Sequence, residues 1–378
     1  MKELEIQIAD GSLYFIRQGA RLEVSRYQGL AGHVEIPANV AVEAQENMAD
    51  NATAVEAQEN LADNATAVEV HSLPVAGIGK KAFLSKKYLR SVTIPAGVAE
   101  VGDWAFAYCD ALREVTFEGR NVTFGKSVFL ECPNLHCVRF PGMPDNESGS
   151  SQGFPCGGSG SLASSGQING GSGSLASSGQ TNGGSGSLTS TGYTTYCDGI
   201  GALTAAAVTQ MESSYLLDAS EIGSAEWLTK WDARMFAILG AADDEGYSKQ
   251  ILCGEEDYES ADLETYLTNS RKKKVRLLLL RLLAPMGLDP VKADGLRSYL
   301  LAHTKGCQTE ETWQVVRDEY GDRREFYELF ATIGCFTKEN APSIIAETKE
   351  EHPEMKAFFL KYQADHFADH DFFAELEL

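Results

Sequence analysis

The sequence predicts an α+β, multidomain fold: a β-rich repeat solenoid, a flexible linker and an all-α helical domain. Three observations predict it. A degenerate 23-residue period occupies the first part of the chain. A Gly/Ser-rich tract with almost nothing apolar follows it. From Cys197 onward, apolar residues recur at helical spacing.

The period is read by writing the chain in 23s: "VTIPAGVAEVGDWAFAYCDALRE" from Val92, "VTFEGRNVTFGKSVFLECPNLHC" from Val115, then "VRFPG" from Val138. Phe83, Phe106 and Phe129 recur in register, as do Leu89, Leu112 and Leu135, and Gly79, Gly102 and Gly125. Apolar positions persist while the others change. That is expected when each unit is one layer burying its face on its neighbours. Each layer is predicted to hold a short strand such as Val92–Ile94, a second near Val98–Val101, and a helical turn carrying Phe106. Residues 4–24 read as a β-hairpin capping the first edge.

The recurring "V-T-I-P…V…I-G-x-x-A-F…C-x-x-L-x-x-V" unit, clearest at Val92–Val115, resembles the BspA-like leucine-rich-repeat family over about residues 30–142. The resemblance implies a bacterial solenoid whose strand ladder presents a binding surface; for secreted members it implies cell-surface adhesion. Ser91, Thr93, Glu114, Thr116 and Arg139 are the expected outward positions of that ladder.

Two near-verbatim 13-residue repeats behave differently. Ala41–Thr53 and Ala54–Thr66 differ only at Met48 and Leu61. On a helix, 13 residues rotate an apolar stripe by about 140° per copy. On a strand, an odd repeat flips the buried face each time. Neither element presents the repeated valines to one core, so residues 41–66 read as a solvated insertion within the domain at 1–145. The second tract, "SGSLASSGQINGG" and its copies, lies in residues 146–196. It has too little to bury to offset the entropy of ordering, and reads as a flexible linker.

The all-α domain spans 197–378. "EWLTKWDARMFAIL" puts Trp227, Trp231, Met235 and Ile238 on one stripe. "REFYELFATIG" places Phe326, Leu329, Phe330 and Ile333 together, with Gly334 as the stop. Asn340 is the expected N-cap before Pro342, and Pro353 opens the last helix. "RKKKVRLLLLRLL" from Arg271 reads as a solvated helix start entering the core; cations there mildly oppose the helix dipole, so a compensating partner is worth testing. The stretch from Ile333 to Phe367 resembles the ankyrin-like helical ending found after such repeats in some bacterial proteins.

The net charge is −22, from 32 Lys and Arg against 54 Asp and Glu. Phosphate-backbone binding needs clustered cations, so no nucleic-acid partner is expected. The longest lipid-like run, Val275–Leu283, is short and carries two Arg, so no membrane insertion is expected. Acidic residues from Glu3 onward leave no visible signal peptide, and cytoplasmic localisation is expected, with a cell-surface location by non-standard export as the alternative. The eight cysteines are scattered and form no C-x-x-C, which reads as reduced thiols.

Apparent motifs reduce to structure. "GRNVTFGKS" (Gly119–Ser127) has five residues between its glycines where a P-loop has four, and Gly125 is the repeat glycine. "DGIGALT" (Asp198–Thr204) follows a linker rather than a strand, so it starts a helix. His366 and His370 lie four apart without a third ligand. Cys132 parallels Cys109 and reads as a structural thiol. No cofactor or metal is expected. The sequence therefore predicts a non-catalytic scaffold that binds a protein partner through its repeat surface. A cell-surface adhesin is the first alternative; an enzyme with a site in the helical domain is the second.

Overall fold

The computed structural model describes residues 3–43, 70–142, 199–247, 262–348 and 350–367. The linker at 146–196 and all but the first three residues of the 13-residue repeats lie outside the described residues. Met1–Pro144 and Cys197–Leu378 group as one compact unit.

The chain opens with β1 (Glu3–Ile8), β2 (Gly11–Gln18) and β3 (Arg21–Gly29), paired antiparallel in that order. The expected hairpin cap thus has a third strand, and β3 is the seam to the repeats, pairing parallel with β6 (Val70–Ile78). Leu22 and Val24 face the core by alternation, yet Tyr27, an odd step further on, is buried too. A register shift explains it. Phe15 pairs with Val24 but Tyr14 pairs with Arg26, so Ser25 is skipped and the inward face changes phase.

The repeat layers contribute β4 (His33–Glu35), β5 (Asn39–Glu43), β7 (Ser91–Ile94), β8 (Glu100–Val101), β9 (Glu114–Phe117), β10 (Thr123–Phe124) and β11 (Cys137–Arg139). Among the described residues they form two sheets. One runs β1-β2-β3-β6-β8-β10, with β5 on β6; the other, parallel, runs β11-β9-β7-β4. Val92, Val115 and Val138 share one register row and are buried.

The segment carrying each repeat phenylalanine is not the expected helical turn. It forms a third ladder between layers: the Lys81, Phe83 and Ser85 amides donate to Asp103, Ala105 and Ala107, and the Trp104, Phe106 and Tyr108 amides to Lys126, Val128 and Leu130. A helix directs its amides back along its own axis, so it has none to offer a neighbouring layer. Left-handed backbone recurs in register at Lys81, Trp104 and Ser127, and at Ser85, Tyr108 and Glu131. Inside this ladder the rings of Tyr27, Phe83, Phe106 and Phe129 stack at 5.5, 4.9 and 5.7 Å. The Cys109 and Cys132 thiols donate to the carbonyls of Phe83 and Phe106 at 3.0 and 3.1 Å.

The repeat glycines serve close approach. A Cβ on Gly102 would lie 2.6 Å from the Lys80 amide nitrogen, and one on Gly125 would lie 2.5 Å from that of Asp103. Layers pack backbone to backbone there, and Gly125 is held by that packing rather than by any phosphate.

The helical region holds α1 (Gly199–Thr209), α2 (Ala225–Gly240), α3 (Leu263–Leu283), α4 (Pro290–Ala302), α5 (Glu311–Glu319), α6 (Arg324–Thr332), α7 (Ala341–Glu347) and α8 (Pro353–Phe367). α1, Ala-rich and buried along Ile200–Ala207, packs against β11 and covers that edge of the parallel sheet. It also contacts α3, so the repeat core and the helical core are continuous. α2 is capped by Ser224, whose hydroxyl accepts from the Trp227 amide at 3.1 Å. It buries Trp227, Trp231 and Met235 as the stripe predicts, and both indoles donate to carbonyls, of Leu216 and Leu203.

Three expectations need correction. The basic run is not a helix start: α3 begins at Leu263, capped by Asp262, and Arg271 lies mid-helix. Asn340 does occupy the N-cap of α7, with Pro342 in the first turn, but its side chain makes no cap bond; it accepts from the Thr337 amide at 2.8 Å and donates to the Lys305 and Cys335 carbonyls. The cysteines are not all reduced: Cys137 is disulfide-bonded, while Cys109, Cys132, Cys307 and Cys335 are free. Gly334, by contrast, sits at φ 92° beyond α6, as a helix stop requires.

Candidate interaction face

The outward side of the sheet β4-β7-β9-β11 is built by alternation. Val34, Val92, Val115 and Val138 point inward, so their neighbours point out. Register then aligns two rows across the strands, His33, Ser91, Glu114 and Cys137, and Glu35, Thr93, Thr116 and Arg139; Cys137 at the end of the first row is itself buried. All five predicted residues, Ser91, Thr93, Glu114, Thr116 and Arg139, fall on this face and are half-buried. The sequence reading omits His33 and Glu35, both exposed on β4. Aligning "HVEIP" beneath "SVTIP" reveals them, but the layer holding them is lengthened by the β5–β6 hairpin, so a fixed period of 23 passes them by.

The face is polar and internally bonded. Arg139 Nε lies 3.3 Å from Glu114 Oε1 and 3.4 Å from Cys137 Sγ. His33 Nδ1 and Ser91 Oγ are hydrogen-bonded. Thr93 and Thr116 stand side by side at the centre. Three inter-strand spacings make the face only about 14 Å wide. A standard interface buries about 800 Å² per partner, so a bound protein must reach beyond these rows.

Other sequence candidates are structural. Cys132 is buried in the layer ladder, and hydrogen bonding with Cys109 together with burial pushes its pKa up, keeping it a thiol. His366 stacks on Tyr362 at 3.9 Å with Nδ1 3.0 Å from the Tyr362 carbonyl; His370 lies outside the described residues. Among the described residues no three His, Cys, Asp or Glu side chains group as metal ligands, and no helix is long and apolar enough to cross a membrane.

Residues 63–151 match the BspA type leucine rich repeat region (6 copies). The N-terminal region is of leucine-rich-repeat type. Similar solved structures include a leucine rich cell surface protein from Faecalibacterium prausnitzii, at 24% identity over 37% of this chain and 31% of that one, TM-score 0.25. A leucine-rich repeat protein from Bacteroides capillosus is 21% identical over 36% of this chain and 99% of that one, TM-score 0.24. One from Bacteroides ovatus is 22% identical over 35% and 28%, TM-score 0.24. The chain thus spans under a third of the length of the first of these. No curated protein matches it.

Proposed function

We propose that this chain is a non-catalytic scaffold binding a protein partner through the outward face of its leucine-rich-repeat region, read as a short solenoid. The observation that carries the reading is the pair of cross-strand rows, tied to each other by the diagonal Glu114–Arg139 ion pair. Polar, shallow ladders of this kind are the surfaces that stacked repeats offer to partners. The helical region is read as ankyrin-like; the adjacent packing of α5 with α6 and of α7 with α8 supports paired helices. The test is photo-crosslinking in the source cells, with a benzophenone amino acid at Thr93 or Thr116. A discrete adduct is expected, absent at the control position Lys87; Thr116→Arg should abolish it for the probe at Thr93, and Thr93→Arg for the probe at Thr116. Equal labelling at all three positions overturns the reading, and robust hydrolase turnover by the pure chain overturns its non-catalytic part.

A second reading, the cell-surface adhesin, is favoured by one observation. Cys137 is disulfide-bonded, and disulfides persist in oxidising compartments. Protease shaving of intact cells separates the two. Loss of the chain places it outside, and protection until lysis places it within.

A further inference from the structure

The basic run of α3 poses a charge question that the packing mostly answers. Arg271 pairs with Glu311 at 2.6 Å and Asp243 at 3.6 Å. Lys274 holds Asp243 at 2.7 Å and the Ala241 carbonyl at 2.6 Å. Arg276 holds both oxygens of Glu319, at 2.5 and 2.7 Å. Lys273 is paired less closely than these three. Its nearest carboxylate, Glu212, is 3.9 Å away and largely exposed.

Lys273 instead lines a cleft of about 760 Å³ between the end of α2 and the first half of α3, together with Arg234, Asn269 and Ser270. Arg234 has no carboxylate partner among the described residues. One terminal nitrogen donates to the Met211 carbonyl at 3.1 Å, while its buried Nε has no partner. Leaving a charged donor buried and unmatched is costly. Burial and the nearby Arg234 and Arg276 guanidiniums also lower the proton affinity of Lys273. Three cations, Arg234, Lys273 and Lys274, thus line one cleft of ligand size; Lys274 is taken up by Asp243, and Glu245 is the one acidic residue among the described lining.

We propose that this cleft binds a small phosphate-bearing ligand, with Arg234 and Lys273 holding the phosphate oxygens and Asn269 and Ser270 supplying neutral polar contacts. A phosphate monoester carries about −1.5 to −2 charge near neutral pH and accepts several charge-assisted hydrogen bonds, which matches two cations better than one carboxylate does. The role of the site is separate from the sheet face and does not depend on it.

The test follows thermal unfolding of the full chain in inorganic phosphate, succinate or chloride at equal ionic strength. A saturable rise in Tm with phosphate, exceeding that with succinate, is expected. Arg234→Gln and Lys273→Met should each raise the phosphate concentration for half the shift by at least about tenfold, the effect of losing one charge-assisted bond. Lys272→Met, on the same helix outside the cleft, should leave it unchanged. Should either variant fail to fold by circular dichroism, Asn269→Asp adds a repelling charge at an exposed position and should do the same. No phosphate effect beyond chloride, succinate equalling phosphate, or full response in the cleft variants overturns the proposal.

Discussion

Arg281 of α3 grips Asp232 of α2 with two hydrogen bonds, at 2.6 and 3.2 Å, in a site closed to solvent. Two further guanidinium N–H groups donate to the Ala284 and Met286 carbonyls. The pair locks the two helices together through buried polar side chains. Asp232→Ala strands a buried cation and should destabilise the chain by about 3–5 kcal/mol. Replacing both partners by Leu and Met should cost less than the single change. Urea unfolding with a common slope measures both.

Two glycines should respond oppositely to alanine. Gly102→Ala drives a methyl into the backbone of the preceding layer and should cost about 1–3 kcal/mol. Gly295, inside α4, has nothing within 4 Å of its would-be Cβ. Gly295→Ala should stabilise by about 0.5–1 kcal/mol, the helix preference of alanine. Paired melting curves give the two signs.

The free thiols should separate sharply in reactivity. Cys307 is exposed; Cys109, Cys132 and Cys335 are buried, and burial pushes Cys335 up to about 12. In the native chain at pH 8, a maleimide should modify Cys307 well before Cys109, Cys132 and Cys335, which should wait until denaturant is added. Mass spectrometry of the digested adduct reads the order, and early labelling of Cys109 or Cys132 would show that the layer ladder opens.

His136 gives a pH signature. His136 lies at the surface, but partial desolvation by its neighbours lowers its pKa, with the Arg323 charge adding to the effect, so the folded chain takes up a proton somewhat less readily than the unfolded chain. Both states are neutral well above the ordinary value near 6.5, and no stability depends on this group there. As pH falls through that value the unfolded state gains protons first, and stability drops until the folded pKa is passed. His136→Gln should therefore lose less stability than the natural chain between pH 7 and 5, measured by denaturant unfolding at each pH.

The 23-residue register was legible because identical backbone layers demand identical buried residues: Phe106 stacks on Phe83 and Phe129, so all three must be aromatic and in phase. The five outward residues of the face followed from strand alternation. What stayed hidden depended on pairings between distant residues. Nothing local tells that Phe106 lies in a ladder of turns, since its partner, Val128, is in another layer. Nor does the sequence around Arg271 reveal that α3 starts at Leu263, because the carboxylates that settle the run's charges belong to Asp243, Glu311 and Glu319. The cation cleft was missed for the same reason: Arg234 and Lys273 meet only after α2 and α3 pack.

β5 and β6 pair antiparallel from Asn39 opposite Pro74 out to Glu43 opposite Val70. The two points where the chain leaves and rejoins the described fold are therefore bonded neighbours, about 5 Å apart. Whatever is inserted between them closes a loop whose ends the hairpin already holds together. Adding or removing whole 13-residue units changes the loop entropy by only about (3/2)RT times the logarithm of the length ratio. Copy number at this site can therefore drift between generations without the fold registering it, so this position is a natural port for foreign sequence: an epitope, a tag or a second domain grafted there should leave the repeat layers as they are.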